Sequence, residues 1–313
     1  MIGFSQALDF LWFVGISLYS LKSSDRKANF TFKPVNIAYN VFEPSSGADG
    51  TLSPIIFLHG ITASKEYWND IPQRIADKTK RTAYTCDARN HGESDYNDEF
   101  SFDLNIHDLL HFMDTKNISK TILVGHSMGG VTAIHAALKK PERIEKIFVE
   151  DMYVKRFPRA FTDAGLPLLC MRKESTQHMP KGLSEKDAME FSNNFIIEKI
   201  PKDSPLYSKL DDIRKSRASF RRNPDGSFEV NYNFDVIARA LKDYDTLASE
   251  PEGHYDGPAY FIYGPLSMFA VYNEEESIRK HFPNAELIGI PGADHSVHIE
   301  FPDEFVASVL KYL

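Results

Sequence analysis

The sequence predicts an α/β fold: a mostly parallel central sheet flanked by helices, with a helical cap inserted over the site. Three observations carry this prediction. Short apolar runs at 54–59, 121–124 and 144–149, with a further strand at 81–86, alternate with helical stretches at 67–78, 103–114 and 131–138, the rhythm of a parallel sheet covered on both faces. That rhythm stops at 152–253, where the pattern is mainly helical, and resumes with strands at 258–263 and 286–290. The turn after the 121–124 strand reads Gly125-His126-Ser127-Met128-Gly129 and opens directly into a helical pattern, the strand–turn–helix context that a G-x-S-x-G nucleophile needs.

Taken in order, 29–42 reads as extended, with Pro34 favouring an edge position, and 43–53 is a Ser/Gly/Pro/Asp loop. The strand at 54–59 ends at Gly60 and leads through a loop to the helix at 67–78. The strand at 81–86 is followed by the loop Asp87-Ala88-Arg89-Asn90-His91-Gly92. Leu104, Leu109, Leu110 and Met113 give the helix at 103–114 an apolar face. Within the insertion, 184–199, 206–220 and 235–247 read as helices, and 221–233 reads as a hairpin around Asn223-Pro224-Asp225-Gly226. Phe157, Phe161, Leu166, Leu168, Leu169 and Met171 are either acyl-channel lining or ordinary core of that insertion. The helix at 303–313 closes the chain. The expected organisation is therefore a core at 29–151 and 254–313, a cap at 152–253 and an apolar leader or anchor at 1–28.

The composition sets bounds on function. Of 313 residues, 42% are hydrophobic and 26% charged, as in ordinary globular chains with a large core. A net charge of −8 argues against nucleic acid, since no basic surplus can replace phosphate counterions. Cys86 and Cys170 sit in no metal-like or CxxC spacing and read as reduced and structural; no metal or cofactor is expected. The apolar run at 10–21 is too short for a comfortable membrane span, and positive charges follow it rather than precede it. It reads as a processed leader, as an interfacial anchor giving peripheral membrane contact, or as a helix packed on the domain.

A serine hydroxyl needs a neighbouring base, and that base needs an orienting acid. With Ser127 as nucleophile, the expected chain order is serine, acid, histidine. His295 follows the last strand and is preferred as base over His298, which leads into Glu300-Phe301-Pro302. The turn after the 258–263 strand, Gly264-Pro265-Leu266-Ser267, holds no carboxylate, which leaves two acids. Asp151 ends the strand beside that of Ser127 and is preferred, because a core strand end fixes a carboxylate better than an insertion does. Asp235 lies in the cap at the start of a predicted helix. Glu150 is expected on the opposite side from Asp151, since strand side chains alternate, and Asp294 is expected to point away from the base. The backbone N–H groups of Met128 and Ile61 are the expected oxyanion donors.

With these residues placed, the chain resembles the α/β-hydrolase superfamily over nearly its whole length. The resemblance is closer still to the abhydrolase domain-containing 11 esterases and their bacterial relatives. The segments that carry the resemblance are Phe57-Leu58-His59-Gly60, Asp87–Gly92, Val124–Gly130 and Asp151. The resemblance implies a serine hydrolase acting on acyl esters or thioesters, in the mitochondrion or cytosol; the leader reading adds the secretory pathway. Animal members imply an acid at Asp235, bacterial relatives one at Asp151. Asp294-His295-Ser296 and Gly264-Pro265-Leu266-Ser267 depart from the family pattern near the pocket, so substrate range does not transfer. The competing reading is a non-catalytic small-molecule receptor on the same scaffold.

Overall fold

The structure, a computed structural model, describes residues 33–313 apart from 157 and 248. The apolar run at 10–21 and Phe157 lie outside the described residues. In chain order the strands are β1 (Tyr39–Phe42), β2 (Ile55–Leu58), β3 (Ala83–Cys86), β4 (Thr121–His126), β5 (Ile144–Glu150), β6 (Phe220–Arg222), β7 (Phe228–Val230), β8 (Ala259–Tyr263) and β9 (Ala285–Gly289). Seven of them form one sheet in the order β1-β3-β2-β4-β5-β8-β9, and β6 and β7 pair separately as a hairpin. In the large sheet only β1 runs antiparallel, against β3 at the edge; the other pairings are parallel.

Helices α1 (Ile71–Thr79), α2 (Phe102–Thr115) and α3 (Met128–Lys139) connect the strands of the first half. Between β5 and β8 lie α4 (Arg159–His178), α5 (Glu185–Lys199), α6 (Leu210–Lys215), the hairpin, α7 (Phe234–Lys242) and α8 (Tyr244–Leu247). After β8 come α9 (Glu275–His281), α10 (Val297–Glu300) and α11 (Pro302–Leu310).

The period-two alternation of the strands builds the two sides of the core. Ile55, Phe57, Ile122, Val124 and Phe148 pack on Trp68, Ile75, Phe305 and Val309. Their alternates Ile56, Leu123, Ile147 and Val149 pack on Leu109, Met113 and Ile134. Because β2 and β4 are central and parallel, both faces are covered; β2 is apolar throughout and β4 is apolar from Ile122 to Val124.

Three helices differ from expectation; the stretch read as one helix at 235–247 divides at Asp243 into α7 and α8. The stretch read as one helix at 67–78 is a 3₁₀ turn, Lys65–Trp68, followed by α1. Asn69 takes φ 50° and breaks the run, while Pro72, lacking an N–H, suits the first turn of a new helix. The stretch read as one helix at 206–220 is a 3₁₀ turn, Pro205–Lys209, then the short α6. It stops because the Ser219 N–H donates to the Thr62 carbonyl, which pulls the chain out straight into β6.

Candidate active site

Three adjacent strands deliver the site. Parallel β4, β5 and β8 run in register, with His126 opposite Glu150 and Glu150 opposite Ile262. One step past their carboxyl ends stand Ser127, Asp151 and the turn at Gly264, and His295 follows β9. Ligands bind at this edge of an open parallel sheet.

Ser127 sits at φ 52°, ψ −113°, a strained backbone for a residue with a Cβ. Its N–H donates to the Glu150 carbonyl at 3.1 Å, which holds the bend. A Cβ on Gly125 would stand 2.3 Å from the Gly129 carbonyl oxygen, and one on Gly129 would stand 2.0 Å from that of Leu58. Only glycine fits at either position, so the bend can be this tight. Directly after Ser127, α3 begins at Met128 and directs unpaired N–H groups toward the site.

Asp151, at φ 48°, is fully buried. It accepts the His295 Nδ1–H at 2.7 Å and the Gly264 N–H at 3.2 Å, and the Ser267 hydroxyl donates to it. Burial works against the charged form of His295, but the hydrogen bond and charge of Asp151, with Glu150 and Asp294 behind it, outweigh that effect and raise its pKa above the ordinary 6.5. The His295 side chain keeps 31% exposure. Neither Ser127 Oγ nor His295 Nε2 has a hydrogen-bond partner among the described residues; both residues line one cavity of about 370 Å³.

The second late histidine has its own acid. Glu150 accepts both the backbone N–H of His298, at 2.9 Å, and its Nδ1–H, at 2.7 Å, and both side chains are wholly buried. The last residue of β5 and the one after it thus send two carboxylates to opposite sides and hold both ends of the 295–298 turn. His126 holds it from a third direction: its Nε2–H donates to the His295 carbonyl at 3.0 Å, and burial keeps its ring neutral.

Of the two acids left open by the sequence, the structure brings Asp151 to His295 and leaves Asp235 out. Asp235 is in the first turn of α7 with its side chain 83% exposed, paired with Lys173 at 3.6 Å. The buried face of α7 is Val236, Ile237 and Ala240, which turns residue 235 outward. Asp294, expected to point away, lines the same cavity, and its Oδ1 accepts the His295 N–H at 2.8 Å. Ile61 and Met128 also line the cavity, and neither backbone N–H has an acceptor among the described residues.

The loop at 87–94 braces this arrangement without entering it. Asp87 accepts N–H groups of Lys65, at 2.6 Å, and Glu93, at 2.9 Å. Gly92, at φ 57°, leaves no room for a Cβ beside that carboxylate. His59 Nδ1–H donates to the Gly60 carbonyl while Nε2 accepts the Ala88 N–H, which fixes its tautomer and the strand end leading to Ile61.

Some site residues were not legible in the sequence. Ser267 and Gly264 occupy the turn where a carboxylate was sought and instead hold the one from β5. Phe269 stacks on His295 at 4.5 Å, and Phe161 stacks on Phe269 at 5.0 Å. Of the apolar residues weighed as channel lining, Phe161, Leu168 and Leu169 face the cavity. Met171 instead packs among Ile196, Ile200 and Ile213.

A model of the alpha/beta hydrolase family matches residues 55–308. The chain is 28% identical to the sn-1-specific diacylglycerol lipase ABHD11 of Danio rerio, over 96% of this chain and 88% of that protein. It is also 28% identical to the Mus musculus protein of the same name, over 96% and 92%. Among solved structures, a marine microorganism esterase aligns with a TM-score of 0.70 at 23% identity, covering 89% of this chain and all (100%) of that one. The family match spans strands β2 to β9 and every residue of the constellation just described, and the chain belongs to the alpha/beta hydrolase family.

Proposed function

We propose that this protein is a serine hydrolase that cleaves carboxylic esters through an acyl-enzyme, with Ser127 as nucleophile, His295 as base and Asp151 as the orienting acid. The observation that supports it most is the contact of His295 Nδ1 with the buried Asp151 at 2.7 Å, beside a serine on a strained bend in the same cavity. That contact leaves Nε2 as the ring nitrogen open to Ser127 Oγ; such hydrogen bonds often tighten only once substrate binds. Ser127 Oγ attacks the ester carbonyl as His295 Nε2 takes its proton. The oxyanion is received by the Met128 and Ile61 N–H groups, each worth about 10²–10³ in rate where such donors have been removed. His295 then returns the proton to the departing alcohol. Water, activated by the same nitrogen, releases the acid and restores the serine.

In this reading 152–253 is the cap and 29–151 with 254–313 the core. The cavity is lined mainly by apolar side chains, and the relatives are named diacylglycerol lipases, so acyl lipids are the first esters to try. Thioesters fit the same machinery. The test is hydrolysis of p-nitrophenyl esters, with fluorophosphonate labelling alongside. Ser127→Ala is expected to abolish labelling and to lower turnover on the order of 10⁴-fold or more. Equal rates in wild type and variant, with no label on Ser127, would instead indicate a non-catalytic receptor.

A further inference from the structure

Two cations that line the cavity, Arg172 and Arg217, have no counterion among the described residues, and only Arg172 is buried. Arg172, on α4, is buried, at 8% exposure, and lines the cavity. Its guanidinium donates only to neutral groups: Ser192 Oγ at 3.2 Å, Asn193 Oδ1 at 2.5 Å, Met189 Sδ at 3.8 Å and Ser216 Oγ at 2.8 Å. No carboxylate pairs with it among the described residues. Burial lowers its pKa to about 10, and only the Tyr232 phenol works in the other direction; the group is still fully charged at neutral pH. Arg217, near the same wall, is exposed and likewise has no carboxylate partner among the described residues.

The acidic side chains of the cavity are engaged by other groups. Glu300 pairs with Lys215 at 3.4 Å, and Asp294 accepts the His295 N–H at 2.8 Å. A buried, unpaired guanidinium carries a large desolvation cost, and tying α4 to α5 and α6 requires only a neutral donor. Its charge is therefore the feature that the local packing leaves unexplained.

The position of Arg172 gives that charge a direction. Phe161 and Arg172 lie eleven positions apart on α4, roughly 16 Å along the axis at 1.5 Å per residue. Phe161 is the end next to His295, through Phe269. Leu168 and Leu169 line the cavity between the two ends. A ligand with its ester at Ser127 and an apolar chain along these leucines would bring its far end to the guanidinium.

We propose that this cavity selects esters bearing a second, ionised carboxylate at the far end of the acyl chain, received by Arg172: half-esters of dicarboxylic acids. A planar guanidinium suits a carboxylate. A monoanion is favoured over a phosphate dianion, because Asp212, Asp294 and Glu300 share the cavity. The substrate class rests on the esterase reading above, but its test does not need turnover.

The experiment measures binding to the Ser127→Ala protein by calorimetry, for the monomethyl and dimethyl esters of succinate, adipate and suberate. The monomethyl ester of the best-fitting length is expected to bind about tenfold or more tighter than its uncharged dimethyl partner. Arg172→Gln is expected to remove that difference, and Arg172→Lys to keep part of it. Equal affinity for the charged and uncharged ligands overturns the proposal, as does a preference that survives in Arg172→Gln. The Ser127→Ala comparison alone decides the matter if Arg172→Gln does not fold. If the preference is present but the wild type turns over neither ester, the anion site stands and the hydrolase reading fails.

Discussion

At the scale of single residues, two side chains stand on left-handed backbone next to each other in space: Ser127 at φ 52° and Asp151 at φ 48°. Each is the first residue past its strand, and each is turned out of the strand direction toward the loop after β9. The bend under Ser127 depends on glycine at 125, where a methyl group would meet the Gly129 carbonyl at 2.3 Å. Gly125→Ala is expected to destabilise the fold by about 2–4 kcal/mol, read as a shift in the urea midpoint, and to misplace the serine as well.

Asp151 acts on the charge of its neighbour. Because His295 must be neutral to take a proton, activity is expected to rise with pH through a pKa above 6.5, the direction in which Asp151 moves it. Asp151→Asn should lower that apparent pKa and reduce turnover on the order of 10³–10⁴-fold. Asp235→Asn, which only removes an exposed partner of Lys173, should leave both near wild type. A pH–rate profile of the three proteins checks this; equal losses from the two substitutions would refute the assignment of Asp151.

At the scale of elements, the chain's most distinctive loop is a brace. Arg89 and Asp108 form a buried pair at 2.5 Å, each about 1% exposed, and Asp108 also accepts the Val35 N–H. The loop thereby fastens α2 and the segment before β1 to the end of β3. Asn90 and Gly92 tie it to the insertion, through the N–H groups of Asn233 and Gly92 itself. Removing one charge of a buried pair strands the other, so Asp108→Ala is expected to cost about 3–5 kcal/mol, measured by chemical denaturation, while kcat changes far less.

The sequence made the strands, their order of chemistry and the bend at Ser127 legible, because these rest on local periodicity and on glycine sterics. Both late histidines and the two carboxylates at the end of β5, Glu150 and the following Asp151, were visible as well. The match of 151 with 295 was preferred from the sequence because a strand end fixes a carboxylate; what could not be read was the pairing of 150 with 298, across 148 positions. Nor could the role of Ser267 be read, since a hydroxyl in a turn carries no periodic signal. The breaks at Asn69 and Ser219 were missed because a helical pattern gave way to one residue's φ and to one long-range hydrogen bond.

At the scale of the whole molecule, the insertion is seated on the core through polar contacts as well as apolar ones. Ser219 and Gly92 bond across the boundary, His91 bridges to Tyr232, and Lys215 pairs with Glu300. One contact there is between two acids. Asp212 of α6 shares a hydrogen bond with Asp294 of the loop carrying His295. Burial, then that bond and the Asp212 charge, raise the Asp294 pKa to about 6, although the His295 N–H pulls the other way. The sign of the consequence follows from linkage. The folded state holds this proton more tightly than the unfolded chain, whose carboxyl titrates near the ordinary 3.8. Between those two values the folded form binds more protons, so rising pH removes stability, and the loss is complete once pH exceeds about 6. Above that pH Asp294 carries its charge beside Asp212, where the 152–253 stretch meets the loop carrying His295. Asp294→Asn keeps the shape and removes the second charge. It is expected to raise stability at pH 8 by about 1 kcal/mol, discounted for solvent at the cavity mouth, and to change little at pH 4.5. Thermal melts of both proteins across that range test it: parallel Tm curves would show that the pair does not titrate across this interface.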